Sequence, residues 1–152
     1  MAASIKGPWD AEGIRNFLES CDFPVRLACV GADGYPRVVS LWYRYVGQQL
    51  LCVTHRASKL ALMLEKQPKV GFEVAPNRPP YHGVRGQGIA RLEPLQDPAT
   101  LKDLMDRYLG GHDSSLGKWL LSRSDDEVLV TITPERLYCW DYRERMADAV
   151  GE

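Results

Sequence analysis

The chain has 152 residues and a formal net charge of −1, which fits one domain over residues 1–152 and speaks against a nucleic-acid binder, since such proteins carry a basic face. It contains no run of eighteen apolar residues and no basic-then-apolar leader, so neither a membrane span nor a secretory signal is expected. Cys21, Cys29, Cys52 and Cys139 show no CxxC or zinc-knuckle spacing. Free thiols in a reducing, cytoplasmic setting are therefore expected, with no metal centre. Charge is unevenly spread: residues 51–100 hold seven basic and four acidic side chains, residues 101–152 seven and eleven. A locally basic middle suits one small anionic ligand better than a long polyanion.

In chain order, Asp10 caps a predicted helix over Ala11–Ser20, with Ile14, Phe17 and Leu18 on one face. Pro24 interrupts, and Val25–Val30 reads as a strand. Gly31-Ala32-Asp33-Gly34 is tight-turn chemistry, because glycine and aspartate accept positive φ. A long β-rich run, Arg37–Val46, follows; Gly47-Gln48 turns it back into Gln49–Thr54. Ser58–Lys66 is helical in pattern, Lys69–Val74 is a strand, and the proline-rich Pro76–Pro80 is neither. Val84–Leu92 is a fifth strand. Pro98 opens a helix that ends at Gly110-Gly111, Ser115–Ser122 is a second short helix, and Glu127–Thr133 and Arg136–Asp141 are two strands hinged at Pro134. Seven strands with helices as inserts predict a mainly β fold, an antiparallel β-barrel with α-helical inserts. The opening meander and the lack of GxGxxG speak against a Rossmann fold.

Three stretches could carry chemistry. Thr54-His55-Arg56-Ala57-Ser58-Lys59 joins a strand end to a helix start. Cations there oppose the helix dipole, a conflict that an anion bound by Arg56, Lys59, the hydroxyls and the free amides would remove; the bland alternative is a solvated helix start. Along Arg37-Val38-Val39-Ser40-Leu41-Trp42 both faces mix apolar and polar side chains. Such a strand is expected to be covered twice, by core on one side and by ligand or a partner subunit on the other. On Val84–Leu92 one face reads Val84, Gly86, Gly88, Ala90, Leu92, which suits a barrel corner or the close approach of another backbone or a flat ligand. His55, His82 and His112 have no HExxH spacing, and no GxSxG is present.

Taken in order, these pieces resemble the pyridoxamine 5'-phosphate oxidase-like superfamily of flavin-binding split barrels, over about residues 24–142. The family's R-x-V-x-L-x motif, which lies along the isoalloxazine edge, is matched by Arg37 through Trp42, RVVSLW. Val53-Thr54 stands for its tyrosine-threonine pair, and Arg56, Ser58 and Lys59 for its phosphate-holding serine and cations, one residue closer together. His82–Gly88 corresponds to its RQVRVEG-like strand, with Gly83 at the flavin-contacting glutamine. Pro134–Trp140 resembles the segment that reaches the flavin of the partner subunit.

The resemblance implies a flavin mononucleotide (FMN) binding homodimer, a flavin-dependent oxidoreductase of a small-molecule substrate, with its sites at the subunit interface. Arg56, Ser58 and Lys59 would hold the phosphate, with Val53 and Thr54 beside them. Val39, Ser40 and Leu41, with Arg37 nearby, would meet the ring, and Trp140 would stack from the second chain. The true oxidase carries an arginine and a histidine after this tryptophan, whereas the tail here reads Asp141-Tyr142-Arg143-Glu144-Arg145-Met146; typical pyridoxamine phosphate oxidation is not expected. Alternatives on the same barrel are a deazaflavin-dependent reductase and a haem- or flavin-binding protein without turnover.

Overall fold

The computed structural model describes residues 2–150 of the chain. Its strands are β1 (Ser4–Lys6), β2 (Val25–Val30), β3 (Pro36–Leu41), β4 (Arg44–Val46), β5 (Gln49–His55), β6 (Lys69–Val74), β7 (His82–Pro94) and β8 (Glu127–Asp141). The helices are α1 (Ala11–Ser20), α2 (Lys59–Lys66), α3 (Ala99–Leu109), α4 (Ser115–Ser122) and α5 (Ala147–Val150). One sheet runs in the order β3-β2-β6-β7-β8-β5-β4, antiparallel along this path, and β1 lies parallel against β8. The two end strands, β3 and β4, are consecutive in the chain, so the sheet curls into a mainly antiparallel half-barrel that is split between them.

Alternation sets which side chains enter this barrel. Val25, Leu27 and Cys29 of β2 face inward with Val70, Phe72 and Val74 of β6, all buried. Leu50 and Cys52 of β5 meet Ile132 and Val130 of β8 in the same layer. Helix α1 closes one end: Asp10 accepts a hydrogen bond from the Gly13 amide at 2.8 Å, and Ile14 and Leu18 enter the core. The small residues of β7 mark close approach, as their pattern suggested. A Cβ on Gly88 would lie 2.2 Å from the carbonyl oxygen of Thr133.

The structure corrects three expectations and adds two elements. The run Arg37–Val46 is two strands, because the chain bends at Trp42-Tyr43 to turn the Tyr43 ring fully into the core. Consequently there is no opening three-strand meander: β5 pairs with β4 and β8, while β3 pairs with β2. The two predicted final strands are one. Pro134, which has no N–H to donate, is absorbed by a bulge where Gln87 pairs with Arg136 and Gly88 with Pro134. Finally, β1 and α5 went unread, both too short to show a period.

All four cysteines are free and buried. Burial pushes the Cys52 thiol up to about 12, from an ordinary 9.0. A raised pKa means that the folded state favours the neutral thiol. That contribution is complete below about pH 9 and is lost as pH climbs towards 12. Thermal unfolding followed between about pH 8 and 11 is expected to show a shallower alkaline decline for Cys52→Ala than for the wild type, whatever the baseline cost of the truncation.

Candidate functional site

The start of α2 presents hydrogen-bond donors with no acidic residue in its first turn. Ser58 is its cap, with the hydroxyl accepting from the Ala61 amide at 3.0 Å. Thr54 Oγ1 lies 3.1 Å from Ser58 Oγ, and the Ser58 amide donates to the His55 carbonyl at 2.9 Å. That leaves the amides of Lys59 and Leu60, which have no partner within the helix, pointing out of its N-terminus. No acidic residue occupies the first turn. Lys59 is exposed, and no ion pair holds it among the described residues. Arg56 is committed elsewhere in part: its guanidinium sits 3.1 Å from Asp126, and its amide donates to the Asp126 carbonyl at 2.8 Å. Hydroxyls and free amides thus meet at a helix terminus that lacks its usual carboxylate and begins with an exposed lysine, a set whose chemistry fits a phosphate.

Beside it lies a cavity of about 230 Å³ at the split of the barrel. Ser40 and Leu41 from the end of β3 and Val53 from β5 line it together, with Trp42, and Leu101 and Leu104 of α3 and Leu120 of α4 roof it. Glu127, 7% exposed, closes the floor, its carboxylate held by Arg123 at 3.2 Å. The cavity falls short of the roughly 300–1,000 Å³ of enclosed ligand sites, so one chain supplies only part of an enclosure for a molecule of flavin size.

The predicted residues thus fall into groups. Ser40, Leu41 and Val53 share the cavity, and Thr54, Ser58 and Lys59 form the donor cluster. Val39 is half-buried against the core. Arg37 lies towards the hairpin turn, its guanidinium 3.2 Å from Asp33. Trp140 is far away. Val53 pairs with Leu129 on β8, whereas Trp140 pairs with Gly83 at the other end of the same strand, about 35 Å along at ~3.3 Å per residue. Trp140 lines a separate recess of about 350 Å³ with Arg85, Tyr138 and Tyr142, the Arg85 guanidinium 5.9 Å over its ring. Leu101, Leu104, Leu120 and Glu127 were not singled out from the sequence, and Trp42 only as the last residue of the RVVSLW stretch. The helices α3 and α4 were read there, but not the surface they would cover; Glu127, the last of three consecutive acids at the start of an apolar strand, carried no distinct signal.

This architecture is a split β-barrel with inserted helices. The family described as pyridoxamine 5'-phosphate oxidase matches residues 11–141, and the chain belongs to it. Among solved structures, a conserved hypothetical protein of Mycobacterium tuberculosis superposes with a TM-score of 0.75 at 24% identity, over 91% of this chain and 88% of that one. An F420 reductase gives 0.71 at 23% identity, over 84% and 98%. HutZ, the haem storage protein of Vibrio cholerae, gives 0.64 at 16% identity, over 84% and 92%. No curated protein matches the chain.

The cap itself is testable apart from any ligand. Ser58→Ala removes the acceptor for the Ala61 amide and the partner of Thr54, and is expected to cost about 1 kcal/mol of stability. Urea unfolding measures it as a lower midpoint at unchanged slope.

Proposed function

We propose that this protein is an FMN-binding oxidoreductase of a small-molecule substrate, working as a homodimer with its two flavin sites at the subunit interface. The observation that carries the reading is the adjacency of two features: donors without a carboxylate at the start of α2, and the cavity at the split lined by Ser40, Leu41 and Val53. Thr54, Ser58 and Lys59 would hold the phosphate, with Arg56 shared between it and Asp126. The ring would lie along Val39, Ser40 and Leu41, with Arg37 at the outer end of that strand. Bound FMN would supply the redox chemistry, while the protein positions it and excludes water. The outward face of β3 supports the dimer: Val38 is 69% exposed, as is Tyr35 just before the strand, and apolar surface of this kind is covered when a second copy docks. A second chain would also bring a Trp140 to a site that the first chain's own cannot reach. The four free cysteines support a reducing, cytoplasmic setting.

The F420 reductase and the haem storage protein on the same fold make the cofactor the first thing to test. Apo-protein titrated separately with FMN, a deazaflavin and haem is expected to take up one FMN per chain, with quenching of flavin fluorescence. A Soret band, or saturation by the deazaflavin alone, would overturn the reading. Lys59→Ala is expected to weaken FMN binding roughly ten- to 150-fold, the worth of one charge-assisted contact of about 1.5–3 kcal/mol, with little change in the unfolding midpoint. Unchanged affinity would remove Lys59 from the site.

Sedimentation at low micromolar concentration is expected to give a mass near twice 17.1 kDa. A monomer that still holds FMN would contradict the interface site. Pyridoxamine phosphate is not the expected substrate. Arg143, the nearest arginine after Trp140, is held by Asp141 through Nε at 2.9 Å and Nη2 at 2.6 Å, and its charge is already balanced.

A further inference from the structure

A second cavity, of about 530 Å³, opens between α1 and the start of β7, and no residue assigned to FMN lines it. Its size lies within the range of small-molecule sites. One wall is aromatic: the rings of Trp9 and Phe17 are 5.2 Å apart, and the His82 imidazole crosses Phe17 at 74° with centroids 5.7 Å apart. Trp9 is pinned in place, its indole N–H donating to Asp141 at 3.2 Å and its ring lying 5.9 Å under the Arg143 guanidinium.

His82 supplies the polar element. Its Nδ1 lies 2.9 Å from the carbonyl oxygen of Pro80. A carbonyl can only accept, so Nδ1 carries the proton, and in the neutral ring Nε2 is left as an acceptor. No donor meets Nε2 among the described residues. Tying one ring nitrogen to a backbone carbonyl fixes both the tautomer and the ring plane, which is how proteins aim the other nitrogen at a ligand.

The charges of the cavity discriminate further. Arg143 is balanced by Asp141, and the other charged lining residue is the exposed Asp22, so nothing here favours an anion. We propose that this cavity binds an uncharged planar aromatic molecule carrying one N–H or O–H donor, of the indole or phenol class, which stacks in the Trp9–Phe17 wall and donates to Nε2 of His82. The site stands whether or not the barrel holds flavin.

The test uses the full chain without added flavin. Indole is the probe, and benzofuran, with the same shape and a ring oxygen in place of the N–H, is its control. Indole is expected to saturate one site per chain with Kd on the order of 1 mM or below, moving the His82 Nε2 nitrogen resonance upfield. Benzofuran is expected to bind roughly tenfold more weakly, because its oxygen would face a lone pair. Asn16 is exposed on α1 at the cavity edge, so Asn16→Trp fills the space without touching the core and should abolish binding. His82→Phe keeps a ring but loses the acceptor, and should bring indole down to the affinity of benzofuran. Equal binding of the two probes, an unmoved Nε2 resonance, full binding by Asn16→Trp, or no saturable binding at all would each overturn the proposal. Should His82→Phe fail to fold, the probe pair, the resonance and Asn16→Trp decide it.

Discussion

The convergence of Tyr43 and Arg107 on the end of α1 is the constraint around which the rest of the barrel is arranged. The Tyr43 hydroxyl reaches the carbonyls of Leu18 and Cys21 at 2.7 and 2.9 Å. The Arg107 guanidinium, arriving from α3, donates to the carbonyls of Glu19 at 2.8 Å, Leu18 at 3.0 Å, and Cys21. These are carbonyls that a helix terminus leaves without partners, and a cation beside them also meets the negative end of the dipole. The guanidinium lies 4.9 Å over the Tyr43 ring and 5.4 Å over Tyr108. Burial pushes the Tyr43 phenol up, and the nearby arginine charge opposes this; the phenol therefore stays a neutral donor.

Several features of the molecule follow from that knot. Swinging Tyr43 inward breaks the strand run, which sends β3 and β4 to opposite edges of one sheet and opens the split. The next residue back, Trp42, is left outside the core and stacks on Tyr108, centroids 5.5 Å apart and planes 7° from parallel. That stack holds α3 over the opening, and Leu101 and Leu104 then roof the cavity. A central strand of ordinary length would have sealed the barrel; two half-strands bent at a buried tyrosine leave a slot with a fixed lid.

Much of this was legible in the sequence where a local rule applied. Helix α1 and its Asp10 cap, the Gly31–Gly34 turn, and the helix start near Ser58 each follow from short-range chemistry, and the order of elements carried the family. The bend at Trp42-Tyr43 was not legible. Its cause is a set of carbonyls some twenty residues earlier and an arginine more than sixty residues later, and both flanks have good strand propensity. Pro134 misled for a related reason: proline interrupts a ladder by rule, but a bulge opposite Gly88 removes the need for its missing donor. For the site, the donor cluster at α2 was readable as a violation of helix-dipole preference. The roof of α3 and α4 was not, because periodicity reports that a face is apolar and is silent on what it covers.

In the proposed reading, the division of the flavin residues between two chains would be a consequence of geometry and not of poor packing. β8 runs from the candidate phosphate region, where Val128 pairs with Thr54, to Trp140 at its far end. One strand cannot fold back on itself, so Trp140 and the strand residue beside the α2 start lie at opposite ends of β8. A two-fold axis removes this separation without moving any atom within a chain, because it sets the far end of one β8 against the near end of another. Such an arrangement would make two sites at once and would cover the outward face of β3, where Val38 stands open. In the proposed dimer the long β8, the bulge that keeps it continuous through Pro134, and the exposed β3 face would each have a part.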